Sequence, residues 1–142
     1  MTGYIGEFNH SIDAKGRMAV PARFRAELGE GFVITKGFDT NLYIYDADGW
    51  SAMYEKIASQ SVKTKAAREF QTRFFSSASP CEVDKQGRIL IPASLRKYAQ
   101  LDKEAVVVGA GGHIEIWSID NWNVVDDYDS DDMAAGIEEL DI

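Results

Sequence analysis

The sequence has little of what several large classes of protein require. Its 142 residues include one cysteine, Cys81, which excludes an internal disulfide and is typical of a reducing compartment. No window approaches the ~18 consecutive apolar residues that a membrane-spanning helix needs. Residues 1–10 lack the basic stretch followed by an apolar stretch that marks a secretory signal. These absences predict a cytoplasmic protein with no membrane partner.

Residues that bind metals or act as nucleophiles are equally scarce. Two histidines, His10 and His113, and one cysteine are too few and too widely spaced for a typical zinc site. Cys81 with either histidine as a nucleophile–base pair is the enzymatic alternative. However, Cys81 and His10 are 71 residues apart, at equivalent positions of an internal repeat, which favours packing. Residues 109–112 lack the lysine and the following helix of a phosphate loop. We expect no catalysis, cofactor, metal or small-molecule substrate.

Basic residues are absent from the C-terminal part of the chain. From Ile119 onward there are nine acids and no lysine or arginine. Removing these nine from the total of 23 leaves 14 acids against 15 bases in residues 1–118, although the net charge is −8. The distribution of charge, more than its sum, marks a nucleic-acid-binding surface, so a local basic patch is possible. Clustered like charges repel and bury little, which predicts a disordered acidic tail over residues 123–142.

What the sequence does contain is a repeat with a constant offset of 71 residues. Residues 13–17 (DAKGR) precede an apolar run and Pro21, and residues 84–88 (DKQGR) precede an apolar run and Pro92. Aspartate accepts hydrogen bonds from backbone amides a few residues on, and glycine takes positive φ without strain. Each copy therefore predicts a hairpin turn, whose shape depends on Asp13, Gly16, Asp84 and Gly87.

The elements around both turns follow the same order. In the first copy we predict strands at 4–12, 17–20, 32–35 and 42–45, and a helix at 21–28. In the second copy we predict strands at 81–83, 88–91, 105–108 and 114–117, and a helix at 92–98. Between the copies lie two predicted helices, one capped by Asp48 and one over 64–75. Since a two-stranded hairpin is marginal alone, the copies are expected to pair around a pseudo-two-fold axis.

The repeated motif resembles that of the MraZ family of bacterial transcription regulators, which are built from two AbrB-like swapped-hairpin halves. The likeness runs from Gly6 to about Trp122 and is carried by D-x-x-G-R at 13–17 and 84–88, each followed by a strand, a proline and a basic helix. It implies an α+β, β-rich fold in which two halves form a pseudo-two-fold β barrel with peripheral helices. We predict halves at 4–50 and 77–122, with a helical connector at 51–76.

The resemblance also implies a function. Such a protein binds double-stranded DNA at repeated short boxes in the promoter of the division and cell-wall gene cluster, assembles into a ring of identical copies, and is cytoplasmic and nucleoid-associated. The family's Asp-x-x-x-Arg positions fall on Asp13 and Arg17, and on Asp84 and Arg88. Two or three bases per turn cannot neutralise the ~6–10 phosphates of a strongly salt-dependent binder, which favours linked copies reading several repeats.

Basic residues at the turns supply the candidate DNA contacts. An arginine fork can bond guanine O6 and N7 together. The predicted DNA-binding residues are Lys15 and Arg17, their pseudo-symmetric set Lys85 and Arg88, and the helix residues Arg23 and Arg25 for phosphates. In the alternative, each Asp and Arg form an ion pair that only shapes the hairpin. A further alternative is an antitoxin-like interaction module whose acidic tail binds a protein partner or competes with DNA.

Overall fold

The two copies of the repeat fold into the same order of strands and helices, in a computed structural model that describes residues 3–142. The first half contains β1 (Tyr4–Ser11), β2 (Arg17–Ala19), α1 (Ala22–Leu28), β3 (Val33–Lys36), β4 (Leu42–Tyr45), α2 (Ala47–Ala58) and α3 (Lys65–Ser77). The second half contains β5 (Ser79–Pro80), β6 (Arg88–Leu90), α4 (Ala93–Tyr98), β7 (Glu104–Gly111), β8 (Ile114–Trp117), α5 (Ile119–Asp126) and α6 (Ser130–Leu140).

A six-stranded antiparallel sheet carries the symmetry of the fold. Its strand order is β1-β7-β8-β4-β3-β5, which places equivalent strands of the two halves at equal distances from the centre. The pseudo-two-fold axis therefore passes between β8 and β4, where Tyr43 pairs with Glu115. Each half sends its first strand to the other half, because β1 pairs with β7 and β5 pairs with β3.

A two-stranded ribbon of β2 and β6 interlocks the two halves a second time. Met18 lies opposite Ile89 in this ribbon, and the two residues occupy equivalent positions of the repeat. The crossing is reciprocal: the amide of Val20 donates to the carbonyl of Gly87 at 3.0 Å, and the amide of Ile91 donates to the carbonyl of Gly16 at 2.9 Å. The predicted fold class is confirmed: the protein is α+β, with a large antiparallel sheet and two swapped-hairpin halves. Its strands form an open sheet and the ribbon.

The main core is drawn from equivalent positions of both halves. Its buried side chains include Met18 and Ile89, Val20 and Ile91, Phe24 and Leu95. Pro21 is the N-cap of helix α1, where a missing amide costs nothing, and the helix buries Phe24 and Leu28. Because each half supplies one wall of this core, neither half can bury its apolar face without the other.

A second apolar cluster seats the connector helices on the sheet. Tyr43, Tyr45 and Phe74 are buried there, and Trp50 and Ile57 of α2 pack against them. Helix α2 is present as predicted, but the cap of that helix differs from the prediction. The carboxylate of Asp46, not Asp48, accepts the amide of Gly49 at 2.8 Å. Asp46 also accepts a hydrogen bond from the hydroxyl of Tyr4 at 2.7 Å, which ties α2 to β1.

The strand predicted at 81–83 lies two residues earlier, at Ser79–Pro80. Pro80, which has no amide hydrogen, is tolerated here because β5 is an edge strand. The amide of Cys81 still donates to the carbonyl of Phe32 at 3.0 Å, and residues 82–84 then lead into the turn as irregular backbone.

The acidic segment predicted to be disordered, residues 123–142, instead contains the end of α5 and the whole of α6. Ser118 caps α5 by accepting the amide of Asn121 at 3.1 Å. Asp129 and Asp132 cap α6 reciprocally, each carboxylate accepting the other residue's amide. The negative charges at this helix start are favourable because the N-terminus of a helix carries partial positive charge, which composition alone did not reveal. None of the helices in residues 3–142 has the length and apolar character needed to cross a bilayer.

Candidate nucleic-acid interface

The first turn is held by the carboxylate of Asp13. Its Oδ1 accepts the amides of Lys15 at 2.9 Å and Arg17 at 2.8 Å. The Asp13 amide donates to the carbonyl of Arg17 at 2.9 Å, and Gly16 takes φ +87°. These amides, that of Arg17 foremost, lower the pKa of Asp13 because they stabilise its charged form.

The second turn repeats this geometry with different side chains. Asp84 Oδ1 accepts the amides of Gln86 at 2.8 Å and Arg88 at 2.9 Å, and Gly87 takes φ +79°. The pKa of Asp84 is lowered for the same reason, with the Arg88 amide as the main cause. In both turns the residues predicted to shape the turn make identifiable contributions. Asp13 and Asp84 accept the turn amides, and Gly16 and Gly87 adopt the positive φ.

The two turn arginines differ in their partners. Arg88 Nε lies 3.2 Å from Asp84 Oδ2, and Arg88 Nη1 lies 3.5 Å from Asp13 Oδ2, so Arg88 bridges both turns. Among residues 3–142, the guanidinium of Arg17 has no hydrogen bond or ion pair within these distances, although its charge helps to lower the pKa of Asp13. The ion-pair alternative therefore describes Arg88 and not Arg17.

The turn lysines are exposed at different places of their turns. Lys15 is the third residue of the first turn, and Lys85 is the second residue of the second turn. Both side chains lie in solvent beside a half-buried arginine of the same turn. The interface consequently has two similar backbones but two different arrangements of positive charge.

Arg25 lies beneath the turns instead of on the surface around them. Its Nη1 donates to the carbonyl of Val20 at 2.6 Å, and a Cβ placed on Gly87 would stand only 2.7 Å from that nitrogen. The equivalent Arg96 donates to the carbonyl of Ile91, and a Cβ on Gly16 would stand 1.7 Å from its Nη1. Each half therefore supports the other half's turn with an arginine. The signal in the sequence was the recurrence of this arginine at the repeat offset.

Arg23 is exposed and lies over β1. Its Nη1 is 3.5 Å from the carbonyl of Ile5, a long contact that leaves most of the guanidinium in solvent. The equivalent position of the second half is Ser94, so this positive charge occurs once. Arg23 and Arg25, predicted together as phosphate contacts, thus have different surroundings.

The residues of the enzymatic alternative, Cys81 and the two histidines, are half-buried. Burial raises the pKa of the Cys81 thiol to about 11, which keeps it protonated near neutral pH. Burial also lowers the pKa of His10. Within the part of the chain that the structure describes, no three His, Cys, Asp or Glu residues are grouped to hold a metal ion.

The fold and its paired turns define a class of protein, the swapped-hairpin α+β proteins of the AbrB type. A family model described as "MraZ protein, putative antitoxin-like" matches residues 4–73 and again residues 74–140. The chain belongs to the MraZ family. The second match includes α5 and α6, so the likeness extends beyond Trp122, where the sequence motifs ended.

Curated relatives agree with the family match. The "Transcriptional regulator MraZ" of Alkaliphilus oremlandii is 48% identical over 142 residues, covering 98% of this chain and 99% of the relative. The protein of the same name from Moorella thermoacetica is 49% identical over 137 residues, 96% of each chain. That of Desulforamulus reducens is 52% identical over 120 residues, 84% of each chain. The family is one of transcriptional regulators and not of enzymes, which supports a DNA-binding regulator.

Proposed function

We propose that the chain binds double-stranded DNA at repeated short boxes in the promoter of the division and cell-wall gene cluster and regulates that cluster as a homo-oligomer. The observation that carries this proposal is the first turn. The Asp13 carboxylate holds the turn backbone by accepting two amides, while the Arg17 guanidinium makes no hydrogen bond or ion pair among residues 3–142. An arginine on a rigid turn with its fork unoccupied suits a base edge in a DNA groove.

In this proposal the first turn makes the contacts that distinguish one DNA sequence from another. Arg17 contacts guanine O6 and N7, and the exposed Lys15 contacts a neighbouring phosphate. Phosphate contacts set the register of a protein on a duplex, whereas base contacts carry the sequence information. The two residues therefore have separable effects on affinity and specificity.

The second turn makes the weaker set of contacts. Arg88 must leave Asp84 and Asp13 before it can contact DNA, because both carboxylates lie within ion-pair distance. Lys85 contacts a phosphate without such a rearrangement, and Arg23 adds one further phosphate contact. Arg25 acts through the turn of the other half, which it supports from below.

Self-association supplies the affinity that one chain lacks. Four or five basic side chains fall short of the ~6–10 phosphates neutralised by typical specific binders. Linked copies on repeated boxes gain affinity through effective concentration without any new contact. We therefore propose a ring-like assembly of identical copies, acting in the cytoplasm at the nucleoid.

Binding to promoter fragments tests the proposal. Fragments with intact boxes and with scrambled boxes are titrated with the wild type, with Arg17→Ala and with Arg17→Lys. We expect Arg17→Ala to lose about 1–3 kcal/mol of discrimination between the fragments, the value of one bidentate base contact. Arg17→Lys should keep most of the affinity for both fragments but lose discrimination, because a lysine is a point charge.

Two controls separate the turn from its surroundings. Arg68→Ala removes an exposed base from α3, far along the chain from the turns, and should leave discrimination unchanged. Thermal melting of Arg17→Ala should stay close to the wild type, since the guanidinium makes no hydrogen bond or ion pair within residues 3–142. Equal affinity of every variant for both fragments would remove the claim of specific DNA binding.

A protein-binding role is the second candidate, because the matched family is described as antitoxin-like and the acidic helix α6 is exposed. In that role the C-terminal helices bind a basic protein partner and DNA binding is secondary. The promoter titration separates the two candidates: a wild type that does not discriminate intact from scrambled boxes favours the protein-binding role.

A further inference from the structure

Helix α6 presents an apolar face that the fold does not cover. Met133, Ile137 and Leu140 follow one another at spacings of four and three residues, which aligns them on one side of a helix. Their exposed fractions are 53%, 43% and 71%, and α6 has no buried residue. Its counterpart in the first half, α3, buries Phe74 against the sheet. The apolar face of α6 therefore lacks a cover that its counterpart has.

A groove of matching chemistry lies between α2 and α3. Its volume is about 440 Å³, and its apolar walls include Met53, Ile57, Val62, Phe38 and Phe70. Phe38 and Phe70 remain 53% and 44% exposed although their rings are in edge contact, 5.4 Å between centroids. No residue lining this groove comes from α6 of the same chain.

Charge distinguishes the helix from the groove. Residues 119–142 contain nine acids and no base. The connector 51–76 contains five bases and two acids, and Lys56 lies on the rim of the groove itself. Phe38 and Phe70 also line an adjoining depression that carries two bases, Lys36 and Arg73, and one acid, Glu69. An acidic amphipathic helix and a basic-rimmed apolar groove attract each other, whereas two copies of α6 repel.

We propose that α6 of one copy docks through Met133, Ile137 and Leu140 into the α2–α3 groove of a second copy. The inference rests on the proposed self-association and names its two surfaces. Because the surfaces differ, every copy offers one helix and one groove, and the contact is heterologous. Contacts of this kind extend head to tail and close into a ring when the rotation between copies permits.

Mixing two complementary variants tests this pairing. The helix variant, Ile137→Asp with Leu140→Asp, disrupts the apolar face of α6 and leaves the groove intact. The groove variant, Phe70→Asp, disrupts the groove and leaves α6 intact. By sedimentation velocity at low salt, the wild type should assemble while each variant alone stays monomeric. A one-to-one mixture should stop at a heterodimer, because only one helix and one groove then remain complementary.

Controls keep the result interpretable if Phe70→Asp unfolds. Ala135→Asp places a charge on the opposite side of α6 and should assemble like the wild type. Lys56→Glu with Arg73→Glu changes the rim without removing apolar packing, and should raise the dissociation constant of self-association at least tenfold. It should still form the heterodimer with the helix variant, because its own α6 and the groove of the helix variant are both unchanged.

The outcomes separate two failures. A monomeric wild type overturns the proposed self-association and the docking with it. A wild type that assembles, together with helix and groove variants that assemble equally well, overturns the docking alone. Folded variants that are monomeric apart and remain monomeric when mixed also overturn the docking, because helix α6 would then bind a different surface.

Discussion

At the residue scale, the turn glycines satisfy two separate requirements. Gly16 and Gly87 both adopt positive φ, which side chains with a Cβ rarely adopt. Each also lies directly over an arginine of the other half, Arg96 or Arg25. The turn aspartate thus holds the backbone of the turn through hydrogen bonds, and an arginine of the other half packs beneath the turn glycine.

We expect Gly16→Ala to destabilise the protein, since positive φ alone costs a non-glycine residue about 1–3 kcal/mol. The new Cβ would in addition stand 1.7 Å from Arg96 Nη1 and displace it. Chemical denaturation measures the loss. Gly112→Ala is the matched control, because a Cβ there meets no atom within 4 Å, and its stability should be unchanged. Equal stability of both variants would show that the turn tolerates a side chain.

Arg23 and Arg25 should differ in their effect on salt dependence. If Arg23 contacts a phosphate, Arg23→Gln should reduce the slope of log affinity against log salt by about one and keep box discrimination. Arg25→Gln should leave that slope unchanged and reduce discrimination, because it disturbs the support of the other turn. Affinity measurements at several salt concentrations check both. A reduced slope for Arg25→Gln would instead show that Arg25 contacts a phosphate.

At the element scale, each turn is a hydrogen-bonded unit whose strength depends on one carboxylate. The charged forms of Asp13 and Asp84 accept the turn amides, so the pKa of each is lower in the folded protein than its ordinary value of 3.8. A lowered pKa contributes stability that is complete above 3.8 and is lost as the pH falls toward the folded-state value.

The melting temperature should therefore stay level through the neutral range and fall below about pH 4, where these carboxylates begin to protonate. The double variant Asp13→Asn with Asp84→Asn keeps an acceptor oxygen at each turn and loses the titration. Its melting temperature should depend less steeply on pH in the acid range. Parallel curves for wild type and variant would place the acid sensitivity in other carboxylates.

The sequence predicted the bounds of an element most accurately where its apolar periodicity ended at a residue that also favours a turn. The strands predicted at 42–45 and 114–117 end at the same residues in the structure, because flanking turns limit both. Helix α6 was missed because a run of acids indicates disorder by composition, while Asp129 and Asp132 stabilise a helix start by position. The inward direction of Arg25 could not be predicted, since it depends on a turn 62 residues away in the other half.

At the scale of the whole molecule, the fold is a single unit made of two interlocked halves. The repeat predicted this pairing, because neither copy has enough strands for an independent sheet. The structure adds the manner of interlocking: β1 pairs with β7 along eight residues, and β2 pairs with β6. Most of the strand pairing therefore crosses between halves.

We expect residues 1–77 and 78–142, produced separately, to lack stable structure. Each piece would lose the partner of its first strand and one wall of the core. Mixing the pieces should restore part of the β signal in circular dichroism. As a control, the intact folded chain cut within 59–64, between α2 and α3, should keep its two pieces together on gel filtration. A cooperative melting transition of either piece alone would contradict this account.

The edges of the sheet restrict how copies of this protein can meet. One edge is β5, only two residues long and ending in Pro80, which has no amide to offer another strand. The other edge is β1, where Gly6 at φ +110° bends the backbone and Glu7 adds charge. Neither edge is a good template for adding a strand from a neighbouring molecule, which disfavours the growth of fibres. Contacts between molecules are therefore expected on the helices that flank the sheet.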